Sequence, residues 1–444
     1  DILASSTAVT FGDVVTVSAN NATGGNALKT NASGTVTVDG AIVATANADL
    51  GIDIDPTDVA VNANMTATGD IDITASNDID VAAGVAVAAD SDNNGGTLTI
   101  TADDANDADG AGDLTAGATS TLSGHTVTLD GWNVSVGNVT ADTGNATMTA
   151  NVDVTVNGTV TATVGNIVIT ADSDTNASGG VTVSATGSTN SVAADTNITT
   201  QTIDLLGGVT GVGDLSITPS TAGVTIGLGD AAAAGTLHLL DAEIALITGF
   251  ANATIGSATA GDIEIQTADF LVPVTLQTAG TITDLNDADD DIGNDATLIG
   301  TVEPGGHTPS TLPAATQIAL FEVDGDATAD PATVINFQIN GLAGPGVNGA
   351  AIAGAGHDQI VSTGSIDLNE AQLDVVMGFV PEEDNDSFII VTAPGGVTGM
   401  FDDAAGDPIV DGQIITRHFA EFRVNSEGND VRLTYIGIAP GIDV

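Results

Sequence analysis

The chain has 444 residues, 59 of them Asp or Glu and only four Lys or Arg, for a net charge of −55. That imbalance repels nucleic acid and anionic membrane and suits a salty or calcium-containing exterior, where ions screen self-repulsion. Hydrophobic residues make up 42%, mostly Ala and Val, so a packed core of small side chains is expected rather than disorder. Asp far outnumbers Glu, and Asp favours turns where Glu favours helices. Cys is absent, no 18-residue apolar run occurs, and the chain opens directly in strand-like sequence. Such an opening is expected of a mature or trimmed piece of a longer precursor.

In chain order, one short phrase recurs. It appears as GTVTVDG (34–40), GDIDITAS (69–76), GTLTITAD (96–103), HTVTLDG (125–131), VDVTVNG (152–158) and GNIVITAD (165–172). It continues as GVTVSATG (180–187), DLSITPS (214–220), GVTIGLGD (223–230), GTLHLLDA (235–242) and GDIEIQTAD (261–269). Each phrase alternates apolar and polar residues between Gly, Asn or Asp, which predicts a half-buried strand with a Thr, Ser and Asp outer face. Helical sequence is scarce, with 231–249 and 369–378 the best candidates. Strand phrases without room for helical crossovers, at uneven spacing, predict a β-helix, a β-solenoid in which each coil stacks in register on the last.

Composition shifts near residue 300. Nine of 12 Pro, seven of ten Phe, Tyr435 and all three Arg lie beyond it. The expected organisation is a solenoid over 1–300 and a β-rich region over 301–444 that caps the open coil or mediates assembly.

The phrase GAGHDQIVSTGSIDLNEAQLDVVMGFVPEEDNDSFIIVTAPGGVTGMFD (354–402) resembles the segment near the passenger C-terminus of autotransporter-like bacterial exoproteins. His357 stands where that family has an aromatic, and Asp384-Asn385-Asp386 replaces a Gly-Asp pair. The earlier phrases, for example TIGLGDAAAAGTLHLLDAEIALI (225–247), are similar to the repeats of large filamentous-haemagglutinin-like exoproteins. The resemblance implies a right-handed parallel β-helix, export, and a surface or structural role.

Two acidic loops are candidate calcium sites. Asp103, Asp104, Asp107, Asp109 and Asp113 surround Gly110, and Asp287, Asp289, Asp291 and Asp295 surround Gly293. Hard cations want several oxygens on a loop turned by Gly, although neither loop has the EF-hand alternation. The competing reading is a solvated acidic turn. AGAGHDQIV (353–361) approaches a single nonapeptide calcium turn. GPGVNG (344–349) is a formal dinucleotide fingerprint without a strand-to-helix unit around it.

Pectin-degrading β-helix enzymes need basic residues along a cleft, and Lys29 with three late Arg cannot supply them. The five His (125, 238, 307, 357, 418) lack metal-type spacing, and Trp132 reads as a filler between coils or a lone sugar platform. Sequons such as Asn21, Asn31, Asn64, Asn133, Asn138 and Asn145 follow from Asn and Thr abundance.

In TRHFAEFRV and just beyond it, Arg417, Arg423 and Arg432 accompany Phe419 and Phe422. A basic patch on an otherwise acidic molecule is complementary to another copy of itself. The sequence therefore predicts a non-catalytic extracellular structural protein, a fibre or surface-layer subunit that associates head-to-tail through 417–432. The alternatives are an adhesin stalk within a larger exoprotein, meeting a carbohydrate or cell-surface receptor, and a carbohydrate-active β-helix enzyme.

Overall fold

A computed structural model describes residues 2–4, 7–17, 25–45, 50–91, 95–103, 112–229, 235–284, 292–304, 320–339, 341, 356–378, 386–417 and 419–439. The chain divides into two compact units, Asp1–Thr221 with Leu246–Ala251, and Ala222–Ala245 with Asn252–Val444. The composition shift near residue 300 therefore lies inside the second unit.

All eleven recurring phrases contain strands. In the first unit they feed a parallel β-helix with three walls. One wall is a nine-stranded parallel sheet that begins at Val9–Phe11 and ends at Thr202–Leu205. The second is a ten-stranded sheet from Val15–Thr16 to Ile247–Thr248. The third, here called the Thr wall, includes Ile71–Thr74, Leu98–Thr101, Val127–Gly131, Ala146–Ala150, Ile167–Thr170, Thr196–Thr200 and Asp214–Pro219. The pairings in these walls are parallel, and from Ile71–Thr74 to Asp214–Pro219 the Thr wall runs in register, for example Ile73↔Ile100 and Leu129↔Met148.

The alternation of each phrase decides which residues enter the core. Ile73, Ile100, Leu129, Met148 and Ile169 are 0% exposed and stack in one column, with Ile198 and Ile217 continuing it. Burying each such side chain stabilises by about 1.5–3 kcal/mol. The neighbouring column, Ile71, Leu98, Val127, Ala146 and Ile167, is equally buried. Glycines allow the turns to stack as closely as the strands. A Cβ on Gly158 would fall 2.5 Å from the carbonyl carbon of Gly137 one coil below.

The second unit keeps parallel pairing. Leu320–Val323, Gln359–Ser362 and Ser387–Thr392 stack in parallel, and the antiparallel strands Asp430–Ile438, Ala420–Ser426 and Ile414–Arg417 complete a six-stranded sheet. These last three strands form an antiparallel meander. Phe388 packs edge-on against Phe422 (6.2 Å between ring centres) and Phe422 against Tyr435 (6.0 Å), all within the core. Phe321, Phe337, Phe388, Phe401, Phe422 and Tyr435 are all buried in this part of the chain.

The two helix candidates fare differently. The first contains a single turn of helix, Asp241–Ile244, opened by the Glu243 carboxylate accepting the Leu240 N–H at 2.7 Å. The second is corrected: Gln372–Met377 is a strand, paired in register with Val334–Ile339. Leu373 and Val375 point inward at period two, and Asn369 and Glu370 take positive φ, which ends any helix before it begins.

Candidate functional site

Asp and Asn side chains form ladders along the turns. Asn145 Oδ1 accepts the N–H of Asn166 (2.9 Å), Asn166 Oδ1 that of Asp195 (3.1 Å), and Asp195 Oδ1 that of Asp214 (2.9 Å). The partners lie 21, 29 and 19 residues apart, so one side chain joins each coil to the next although the coils differ in length. A second ladder runs from Asp78 to Asp113 (3.0 Å), Asn133 (3.2 Å), Asp153 (3.2 Å) and Gly180 (2.9 Å), each side chain accepting the next backbone N–H. The second unit repeats the device, with Asp295 accepting from Asp326 (2.8 Å) and Asp326 from Ser365 (2.7 Å). Asp and Asn suit this role because one methylene places an oxygen over the adjacent coil's N–H.

Two residues of the calcium-site candidates, Asp113 and Asp295, belong to these ladders. Asp113 also accepts the Asn133 side-chain amide at 2.9 Å, and Asp295 caps the next turn. Asp103 is 7% exposed and left-handed (φ 58°), as are Asp90 (58°) and Asp172 (57°). Asp172 shows what this arrangement does: its carboxylate accepts the Ala177 N–H (3.1 Å) and the Ser220 hydroxyl (2.6 Å), fixing the excursion that follows the strand. Asp104, Asp107, Asp109, Asp287, Asp289 and Asp291 lie outside the described residues, as do His307, His418 and the 344–349 glycine phrase. Among the described residues no group of three His, Asp or Glu is placed to hold a metal.

Beside Asp103 a cleft of about 370 Å³ is lined by Thr101, Asp130, Thr149, Asn151 and Ser173. Burial raises the Asp130 carboxyl above its ordinary 3.8, and the nearby Asp103 charge adds to the rise. Burial likewise raises Asp72 and Asp80. Hydrogen bonds act oppositely on two exposed groups: Ser365 lowers Asp326, and the Asp407 and Ala405 amides lower Asp403. The raised groups favour the folded state when protonated, so their contribution is complete below 3.8 and is lost as pH rises through their folded values. The lowered groups contribute above 3.8 and lose that contribution as pH falls through their folded values. The melting temperature is therefore expected to rise as pH is lowered from 7 toward about 4, then to fall on stronger acidification. A steady decline from neutrality, measured by circular dichroism in dilute protein, would contradict this.

The C-terminal cluster is divided by the fold. Phe422 is wholly buried and Phe419 partly so. Arg417 donates to the Leu373 carbonyl at 2.9 Å and lies 4.0 Å from Asp374. Arg432 donates to the Ser387 hydroxyl at 3.3 Å. Arg423 is exposed, and Ile414–Arg417 is the edge strand of its sheet. Met400, Val410 and Ile414 are exposed in the same unit, 42%, 52% and 50% respectively. A cleft of about 300 Å³ lined by Leu368, Met400, Phe401, Ile409, Val424 and Val431 lies there too.

Of the other residues singled out by sequence, Trp132 is half-buried between the Thr wall and its neighbour in sequence. His125 meets the Thr143 hydroxyl at 2.8 Å, and the buried His357 ring donates to the Ile389 carbonyl at 3.0 Å. In the phrase that carries the exoprotein resemblance, 379–385 lies outside the described residues. No known family matches the chain, and no curated protein does.

Proposed function

We propose that this chain is a non-catalytic structural protein of an extracellular surface, the subunit of a fibre or layer whose copies associate head-to-tail. The observation that carries the reading is the ladder system. Asp and Asn side chains join each coil to the next, a device that supports growth by repetition. The sequence resemblance of 354–402 to exoprotein passengers agrees with export.

The contact is assigned to the region 417–432, with Arg423 as its exposed cation and Met400, Val410 and Ile414 as exposed apolar groups in the same unit. An acidic, strand-rich surface of a second copy complements it, and a heterologous contact that does not close propagates. One observation favours the adhesin-stalk alternative. Arg417 and Arg432 are engaged within their own unit, which leaves a smaller patch for a neighbour.

Sedimentation at physiological salt separates the two. The native chain should polymerise with concentration, and Arg423→Glu should remain monomeric while folding normally. A native chain that stays monomeric throughout would leave the stalk. No helix among the described residues is long and apolar enough to cross a membrane.

A further inference from the structure

Three exposed valines stand together at one corner of the first unit. Val192 follows Ser191 and Val212 follows Gly211, residues paired in register on successive coils of the ten-stranded wall. Val164 lies on the coil before, just beyond Ala162, which pairs with Ser191. Val164, Val192 and Val212 are 53%, 45% and 59% exposed. On the two coils that precede them the same corner carries His125 and Asp142, so the apolar ridge sets in at Val164. Carboxylates border it. Asp195 and Asp214 lie on the coils of Val192 and Val212, joined by the Asp214 N–H donating to Asp195 Oδ1 at 2.9 Å. Asp214 is exposed, and neither ion pair among the described residues includes these two acids.

The second unit presents the complementary chemistry on the outward face of its C-terminal meander. Ile414 is paired directly with Arg423, and Arg423 with Thr434, so these side chains share one face. Phe422 and Val424 turn to the other face and are buried. Ile414 is 50% exposed, Arg423 is exposed, and Ile414–Arg417 is the edge strand. Arg432 stands on the same outward face, beside Asn425. Two of the chain's four Lys and Arg therefore lie here, which makes this face cationic where the rest of the molecule is acidic.

We infer, on the basis of the head-to-tail association proposed above, that the face around Ile414 and Arg423 seats on the Val192 and Val212 ridge of a second copy. Apolar side chains then cover apolar side chains, and Arg423 meets Asp195 and Asp214, which no cation among the described residues neutralises. In a chain of net charge −55 most surfaces of two copies repel each other, and the charge match singles out this pairing. Nucleic acid and anionic membrane are repelled by the same carboxylates. Ridge and face are different surfaces of one chain, so the contact is heterologous and can repeat from copy to copy. The ridge is small beside the roughly 800 Å² per partner of a stable complex, so each contact is weak and association depends on concentration.

Sedimentation velocity over a concentration series at physiological salt tests the pairing. Val192→Ser combined with Val212→Ser should raise the concentration needed for association about tenfold. Leu206→Ser, at a similarly exposed position (58%) just past the nine-stranded wall, should leave it unchanged. Asp214→Arg should weaken association as Arg423→Glu does, and the two together should restore it. Arg423→Glu with Asp204→Arg, outward on the nine-stranded wall, should not. Circular dichroism checks that each variant folds. Association unchanged by the paired valine substitutions, or restored equally by Asp204→Arg and Asp214→Arg, would overturn this pairing and leave head-to-tail association standing. A native chain that stays monomeric throughout would overturn both.

Discussion

Ile169→Ala is expected to lower the unfolding free energy by about 2–5 kcal/mol. Ile169 is fully buried and stacks between Met148 on one coil and Ile198 on the next, so the void opens in the middle of a column. Parallel strands held in register by neighbours above and below have little freedom to collapse into it. Gly158→Val probes the other requirement, close approach of the turns. Its Cβ would meet the Gly137 carbonyl carbon at 2.5 Å and the Gly137 oxygen at 2.7 Å, both backbone atoms that cannot swing aside. Overpacking of that kind costs about 1–3 kcal/mol or more. Urea unfolding of both variants checks the pair. Losses under about 0.5 kcal/mol in each would contradict the coil stacking.

Salt should act on the whole molecule. The net charge is −55, and the described residues contain two ion pairs, Lys29 with Asp53 at 2.7 Å and Arg417 with Asp374 at 4.0 Å. Almost all the remaining charge is uncompensated, and its mutual repulsion weakens as the screening length falls to about 3 Å near 1 M salt. The melting temperature should rise by about 5–10 °C or more between low salt and 1 M sodium chloride. Calcium at matched ionic strength provides the second arm. A further rise would place bound ions in the acidic loops around 103–113 and 287–295. Equal melting in the two salts would leave screening alone, and insensitivity to both would contradict the electrostatic argument.

Much of this fold was legible in the sequence because strand alternation survives in the Thr wall. GDIDITAS and GTLTITAD alternate over four or more residues, long enough for period two to show. The other walls were less legible. Met65–Ala67, Ala86–Ala88 and Val134–Val136 are three residues long, too short for any periodicity to stand out from Ala- and Val-rich surroundings. Gln372–Met377 looked helical because NEAQLDVVMG contains good helix formers, and pairing along Val334–Ile339 overrode that preference.

The candidate sites were legible only in part. The Asp bias was read as turn chemistry, yet the link from each Asp or Asn to the next coil spans 19 to 39 residues and leaves no local signature. The repeated TAD ending was a signal for the left-handed Asp103 and Asp172 that could have been used. The Arg and Phe cluster was visible as composition, but TRHFAEFRV alternates, so Phe422 turns inward while Arg423 turns out. The valine ridge required register. Val164, Val192 and Val212 are separated by unequal intervals and become neighbours only once the coils are aligned.

Negative-stain microscopy of the native chain over a concentration series at physiological salt tests the structural role most directly. Head-to-tail association predicts unbranched filaments that lengthen with concentration and that Arg423→Glu abolishes. Isolated single molecules at every concentration, in the native chain and the variant alike, would contradict it.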